Sequence, residues 1–208
     1  MKLKVCGMKY RENIEAVSAL KPDYLGFIFY ANSLRNYEDK PIETSPKTKK
    51  VGVFVNASLD EILEKTKTHQ LKVIQLHGDE SDDFCAKLKQ FQPEVEIWKA
   101  LPVDESFDFE AMNIYQNADA ILLDTKGGNY GGNGKKFDWT ILEKYQLDKD
   151  IILSGGISPD DWFEIQNLSK KIPQIKTIDI NSKFELSPGL KDVEMVKEFL
   201  NEMKVKKQ

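Results

Sequence analysis

Eight short apolar runs recur along the chain and alternate with longer segments in which polar residues prevail. The runs are rich in Val, Ile, Leu and Phe, and their first residues are 21 to 31 positions apart. That spacing suits a strand, a helix and two short loops, and near-continuous apolar strands are typical of parallel sheets covered by helices. We therefore predict eight parallel strands, at residues 3–7, 24–29, 50–55, 73–78, 97–101, 120–125, 151–156 and 177–182.

Several of the intervening segments carry signals for helix initiation. Ser58 and Glu61 have the spacing of a capping box ahead of an apolar stripe. Ser158 precedes a proline and two acidic residues, an arrangement that is common at helix N-termini. Segments 31–48 and 102–118 are less regular, and no helix is predicted within them.

Eight strand–helix units can close into a barrel or form an open, doubly wound sheet with two edges and a change in strand order. The number of units and the 208-residue length favour the barrel. No Pro/Gly/Ser-rich linker divides the chain. We predict a single (βα)8 TIM-barrel domain over residues 1–208, with outer helices and with functional groups at the C-terminal ends of the strands.

Composition and charge exclude several classes of function. The 30 basic and 34 acidic residues are spread along the chain, which disfavours a nucleic-acid partner. No apolar run approaches the roughly 20 residues of a membrane helix, and no signal peptide is evident, so a cytoplasmic protein is expected. Two histidines and two cysteines, without zinc-like spacing, predict that no metal is bound.

A thiol and a carboxylate occupy two of the predicted strand ends. Cys6 lies near the end of the first run and Asp124 near the end of the sixth. If both point into the barrel, they meet at its mouth, where such a pair can shuttle protons in an aldose–ketose isomerisation. Cys6 would then need a pKa lowered by nearby positive charge. Taken alone, the cysteine also fits a small core residue, and the aspartate fits a helix cap.

Glycines and polar residues follow the last two strands. Gly155 and Gly156 end the seventh run, and Asn181 and Ser182 end the eighth. The loops after strands 7 and 8 of such barrels commonly hold phosphate, although a glycine pair also fits a tight turn. A second glycine-rich stretch, 127–134, matches neither the dinucleotide fingerprint nor the P-loop, and is interpreted as a loop beside the active site.

Three further polar residues each have two interpretations. His77 ends the fourth run and either forms structural hydrogen bonds or lines the pocket. Lys99 lies in a buried strand and either pairs with a carboxylate inside the barrel or faces the substrate. Arg35 follows the second strand and is either a surface residue or a bidentate ligand for a carboxylate.

A set of short motifs lies in order at the predicted strand ends. They are KVCG at 4–7, GFIF at 26–29, VGVFVN at 51–56, QLHGDE at 75–80, KA at 99–100, LLD at 122–124, GGNG at 131–134, FDW at 137–139, SGG at 154–156, DINS at 179–182 and PGLKD at 188–192. Single motifs are weak signals, but the ordered set over nearly the whole chain resembles the phosphoribosylanthranilate isomerase family.

The resemblance implies an isomerase of tryptophan biosynthesis that works without a cofactor, as a monomer or homodimer. Its substrate would be the phosphosugar N-(5-phosphoribosyl)anthranilate, converted by an Amadori rearrangement to 1-(2-carboxyphenylamino)-1-deoxyribulose 5-phosphate. It also implies roles for individual residues: Cys6 as general base, Asp124 as general acid, Arg35 as ligand of the anthranilate carboxylate, His77 and Asp179 as further substrate-binding residues, and Gly155, Gly156, Asn181 and Ser182 as phosphate-binding residues.

Two positions depart from the family's usual motifs, and other functions are possible. Leu34 stands where a proline is usual, which would loosen the loop that carries Arg35. Lys183 stands where a glycine is usual, and lysine lacks the freedom of glycine at positive φ. The alternatives are another phosphosugar enzyme, such as indoleglycerol-phosphate synthase or a metal-dependent epimerase, and a non-catalytic or diverged phosphosugar-binding barrel.

Overall fold

A computed structural model describes residues 1–127, 136–145 and 147–205. Eight parallel strands pair in sequence order, and β1 also pairs with β8, so the sheet closes into a barrel. The predicted barrel is confirmed, and the open sheet is excluded. The strands are β1 Lys2–Val5, β2 Tyr24–Phe29, β3 Lys49–Phe54, β4 Val73–Leu76, β5 Glu96–Val103, β6 Ala120–Thr125, β7 Asp150–Leu153 and β8 Ile175–Ile180.

Within the described residues, five α-helices cover the barrel, after strands 1, 3, 4, 7 and 8. Ser58 caps the second of them by accepting a hydrogen bond from the Glu61 backbone, as its capping-box spacing predicts. A short 3₁₀ turn precedes the fourth helix and is closed by Ser158 and Asp161. The helices are α1 Arg11–Ala19, α2 Leu59–His69, α3 Asp82–Phe91, α4 Trp162–Lys171 and α5 Val193–Lys204.

In the residues that the structure describes, the other three connections contain no α-helix. Short 3₁₀ helices follow β5 and β6, at Phe109–Ile114 and Trp139–Lys144, and each buries two residues at i, i+3 spacing, which suits the threefold 3₁₀ turn. The connection after β2 contains two prolines, which disfavour a helix. Buried side chains of Tyr37 and Ile42 fill the space that a helix would cover there.

Side-chain alternation along the strands separates two hydrophobic clusters. One set of positions packs against the helices in a large outer cluster, which includes Leu3, Val5, Ile178 and Ile180. The alternate positions meet inside the barrel. This inner cluster consists of Cys6, Tyr24, Val51, Val53, Val73, Trp98, Ala100, Ala120, Leu122 and Ile152.

Lys99 lies on the outer face of β5, out of phase with the inward-facing Trp98 and Ala100. Its ammonium donates to the Gly78 carbonyl over 2.5 Å and lies 3.1 Å from the Glu80 carboxylate. Lys99 therefore does pair with a carboxylate. The pairing takes place between the strand and the helix layer, so the prediction of a position inside the barrel or facing the substrate is wrong.

A short antiparallel hairpin follows β8 and was not predicted, because its strands have only three and two residues. Its strands are β9 Glu185–Ser187 and β10 Leu190–Lys191, and Gly189 between them adopts φ +86°. The Asn13 side chain exchanges two hydrogen bonds with the backbone of Lys191, which fixes the hairpin to α1. The hairpin thereby holds Glu185 and Lys191 beside the C-terminal end of the barrel. Within the described ranges, no helix has the length and apolar character needed to cross a membrane.

Candidate active site

The Cys6 thiol lies inside the barrel, immediately after β1. The Cys6 backbone continues the pairing with β8 through a 2.9 Å hydrogen bond to Ile180, and the residue is only 4% exposed. Gly26 of β2 lies beside the thiol, and a Cβ at position 26 would stand 2.8 Å from Sγ. Glycine at this position therefore allows the thiol to pack closely against the neighbouring strand.

Lys4 and Asp179 form a buried ion pair next to this thiol. Lys4 shares the inward face of β1 with Cys6, and its Nζ is 2.8 Å from Oδ2 of Asp179. The ammonium also interacts electrostatically with the Cys6 thiol. Burial alone would lower the pKa of Lys4, but Asp179 and Cys6 outweigh burial and raise it, so Lys4 carries its positive charge.

The expectation of a lowered pKa for Cys6 is wrong. Burial disfavours the thiolate and raises the pKa of Cys6, and Asp179 acts in the same direction. Lys4 and, more weakly, Lys191 oppose this effect without overcoming it. Positive charges are thus present beside the thiol, as the sequence analysis required, but desolvation by the closed barrel has the larger effect on the pKa of Cys6.

Asp124 lies in β6 on the inward face and contacts His77. Its Oδ2 is 3.3 Å from Nε2 of His77, and its Oδ1 accepts a 2.9 Å hydrogen bond from the Thr125 backbone. Nδ1 of His77 is 2.9 Å from the side-chain nitrogen of Gln75. Because an amide nitrogen donates, Nδ1 accepts, and the Nε2 proton of a neutral His77 then points at Asp124. His77 thus combines structural hydrogen bonding with a place in the pocket.

Asp179 of β8 interacts both with the Cys6 thiol and with the Asp124 carboxylate. Cys6, Asp124 and His77 all interact with it electrostatically. Its second oxygen, Oδ1, is buried and has no hydrogen-bond partner among the described residues. Oε1 of Gln75 is a second such acceptor. Buried acceptors without partners are uncommon in folded proteins, so these two mark a polar interior at this end of the barrel.

Arg35 is held at the rim by Glu185 rather than lying on the surface. Its Nε and one terminal nitrogen donate to the Glu185 carboxylate over 2.6 to 3.1 Å. Lys191 binds the same carboxylate over 2.6 Å and also donates to the Asn181 side chain over 2.7 Å. Burial lowers the pKa of Lys191 to about 8. The Ser33 hydroxyl also accepts from the Arg35 backbone, so this loop is fixed although it lacks the usual proline.

The predicted phosphate-binding residues lie together after β7 and β8. Gly155 and Gly156 adopt φ of +88° and +64°. A Cβ at Gly155 would stand 2.3 Å from the Thr125 hydroxyl oxygen, so this glycine is required by close packing as well as by its φ. Ser182 begins a 3₁₀ turn that contains Lys183.

Lys183 is not strained at the position where glycine is usual. The non-glycine residues with positive φ, within the ranges that the structure describes, are Lys21, Asn56 and Gln70. Lys183 therefore does not adopt the positive φ that the usual glycine could take. Most of the predicted glycine-rich loop, residues 128–134, lies outside the described residues.

Sequence reasoning missed the residues that support this site. Lys191 was visible only as part of the PGLKD motif, Glu185 lies outside the motifs, and their hairpin has too few residues to give a periodic signal. One signal was available, the alternation of side chains along a strand. Lys4 stands two positions before Cys6 and therefore shares its face. In the described part of the chain, no group of three or more His, Cys, Asp or Glu side chains is arranged to hold a metal ion.

The fold and the site define an enzyme of the (βα)8-barrel class, with a thiol and a carboxylate at the catalytic end. A family model described as N-(5'-phosphoribosyl)anthranilate isomerase matches residues 3–202. A relative of that name in Parabacteroides distasonis is 41% identical, over 98% of this chain and 93% of its own length. The chain therefore belongs to the N-(5'-phosphoribosyl)anthranilate isomerase family.

Solved structures of the family share the fold over nearly the full length. The phosphoribosylanthranilate isomerase of Thermotoga maritima superposes with a TM-score of 0.83 at 32% identity, covering 98% of each chain. Another structure of such an isomerase, at 28% identity and TM-score 0.77 over 97% of each chain, contains reduced 1-(o-carboxyphenylamino)-1-deoxyribulose 5-phosphate. That enzyme thus binds a phosphosugar in the same fold.

Proposed function

We propose that this chain catalyses the Amadori rearrangement of N-(5-phosphoribosyl)anthranilate in tryptophan biosynthesis, with Cys6 as general base and Asp124 as general acid. The observation that carries the proposal is that both side chains lie on the inward face at the C-terminal end of one closed barrel. Residues 1–208 would act as one catalytic domain in the cytoplasm, as a monomer or homodimer and without a cofactor.

The reaction divides between the two groups. Asp124 protonates the furanose ring oxygen, and the ring opens to a Schiff base. Cys6 then removes the proton from C2, which gives an enolamine that tautomerises to the ketose product. His77 positions Asp124 through the 3.3 Å contact between its Nε2 and Oδ2 of Asp124. A thiolate is the form of Cys6 that accepts the C2 proton.

The remaining polar residues would bind the two ends of the substrate. Arg35 would bind the anthranilate carboxylate, while Glu185 holds the guanidinium in place from the opposite side. Phosphate would bind at the C-terminal ends of β7 and β8, where positive φ turns the backbone at the two glycines. Its ligands in this proposal are Gly155, Gly156, Asn181 and Ser182, and His77 and Asp179 would contact the sugar between the two ends.

Replacing Arg35 with lysine is expected to raise KM by about 10- to 100-fold with a smaller change in kcat. Lysine keeps the charge but loses the planar fork that can bind Glu185 and a second carboxylate together. A charge-assisted hydrogen bond contributes roughly 1.5–3 kcal/mol, which corresponds to that factor. Steady-state kinetics measure it, with Arg11→Lys on the exposed face of α1 as the matched control. An unchanged KM would exclude Arg35 from substrate binding.

The proposed reaction is tested directly by mixing purified protein with freshly generated phosphoribosylanthranilate. The expected result is a rapid loss of anthranilate fluorescence, above spontaneous hydrolysis, with formation of the carboxyphenylamino-deoxyribulose phosphate. A non-catalytic phosphosugar-binding barrel would instead bind the reduced product analogue, but it would not accelerate the formation of the carboxyphenylamino-deoxyribulose phosphate. No acceleration by folded protein would refute the isomerase proposal.

A further inference from the structure

Lys4 is a buried cation inside the barrel. Its side chain is 0% exposed, and other inward positions of the barrel carry apolar residues such as Val51, Val53 and Leu122. Taking an ammonium and a carboxylate out of water is costly, and a well-packed apolar pair at such a position is often equally stable or more stable. Stability alone therefore gives no reason for a lysine here.

The geometry directs the charge of Lys4 at the thiol. Asp179 holds the ammonium through one oxygen at 2.8 Å. An ammonium has three donor hydrogens, and Cys6 stands two residues further along the same inward face of the chain. A Cβ at Gly26 would stand 2.8 Å from the thiol sulfur and 3.1 Å from the Cε of Lys4, so the thiol and the Lys4 side chain lie close to the same point of β2.

We propose that Lys4 is a positioning residue for the proton transfer, because its ammonium, anchored by Asp179, is the charge that stabilises the Cys6 thiolate. The inference rests on the proposed function of Cys6 as base. The thiol releases its proton to solvent, the thiolate then takes the C2 proton of the substrate, and Lys4 keeps its own proton throughout. Lys4 thus acts through Cys6.

The other charges around the thiol act more weakly or in the opposite direction. Lys191, from β10, favours the thiolate, and Asp179, from β8, disfavours it. Asp124 and His77 face Asp179 across the barrel. Burial raises the pKa of Cys6, and among the groups that oppose burial Lys4 has the largest effect. Without the Lys4 charge, burial and Asp179 would therefore raise the pKa of Cys6 further.

Lys4→Met tests the proposal through the pH dependence of kcat/KM. An opposite charge at this range shifts a pKa by about one to three units, so the acid limb is expected to move at least one unit to higher pH. Near pH 7, kcat/KM is then expected to fall at least tenfold, with recovery towards the wild-type value at high pH. Lys99→Met is the matched control, since Lys99 is equally buried and carboxylate-paired but lies outside the barrel; its acid limb should not move.

Direct titration of the thiolate by its ultraviolet absorbance separates this inference from the proposed function. The Cys6→Ser spectrum is subtracted, and the pKa of Cys85, raised by burial to about 11, keeps the second thiol out of the range. Lys4→Met is expected to shift this titration to higher pH, and Lys4→Arg is expected to restore much of the wild-type value.

Two outcomes would overturn the role of Lys4. One is an unchanged Cys6 titration in folded Lys4→Met. The other, which applies if that variant does not fold, is an unchanged titration in Lys4→Gln, which removes the same charge with a side chain that can still hydrogen-bond to Asp179. A third combination of results separates the two proposals. If Lys4→Met shifts the Cys6 titration but Cys6→Ser remains fully active, Lys4 does set the pKa of the thiol, and Cys6 is not the base.

Discussion

Asp124→Asn is expected to lower kcat by about 10²- to 10⁴-fold while the barrel stays folded. That range is typical of a general acid or base, and the amide cannot donate the proton that opens the furanose ring. Asparagine is nearly isosteric, and its oxygen can still accept from the Thr125 backbone as Oδ1 of Asp124 does. Single-turnover and steady-state rates measure the loss, and a thermal unfolding curve checks the fold.

A carboxylate at the opposite end of the barrel provides the control for Asp124. Asp150 begins β7 and is exposed, so Asp150→Asn makes the same chemical change away from the site. Its kcat is expected to match the wild type. Near-normal turnover in Asp124→Asn would refute the assignment of Asp124 as general acid, and His77, its hydrogen-bonded neighbour, would be the next residue to test.

Cys6→Ser is expected to reduce kcat by a similar factor of about 10²–10⁴. Serine fits the volume beside Gly26, but its hydroxyl does not ionise near neutral pH and is a poor base. Binding of the reduced product should persist in this variant, because the proposed phosphate and carboxylate ligands lie on other elements. Kinetics together with a calorimetric affinity distinguish lost chemistry from lost binding.

The second cysteine offers a matched control for the Cys6 variant. Cys85 is fully buried in α3, in the outer hydrophobic cluster. Cys85→Ala is therefore expected to lower stability by about 1 kcal/mol, through the small cavity it leaves, with kcat unchanged. Full activity in Cys6→Ser would show that the C2 proton is taken by another group.

The barrel was predictable from the sequence, and so was the set of residues that share a strand face with Cys6 and with Asp124. The eight apolar runs lie within a few residues of the eight strands, because strands buried on both faces need apolar residues at nearly every position. Strand side chains alternate with period two, so the common face of Lys4 and Cys6 follows from the chain alone. The five α-helices also have local causes, such as the Ser58 cap.

The partners of the polar residues were decided only by the tertiary structure. Lys4 pairs with Asp179, which is 175 positions away, and Arg35 pairs with Glu185, which is 150 positions away. Local pattern contains no information on such distant pairs. It also did not show that Lys99 faces the helix layer, because alternation fixes which residues share a face but leaves open which face points inward.

The sequence by itself determined the closed parallel barrel, the family and the presence of a thiol and a carboxylate at strand ends, since these follow from periodicity and motif order. The tertiary structure alone decided the hairpin that holds Arg35 and the direction of the pKa shift of Cys6. The physical reason is that desolvation depends on how completely the closed barrel excludes water from the thiol. Exclusion of water is a property of all eight strands together, and no short segment of the sequence encodes it.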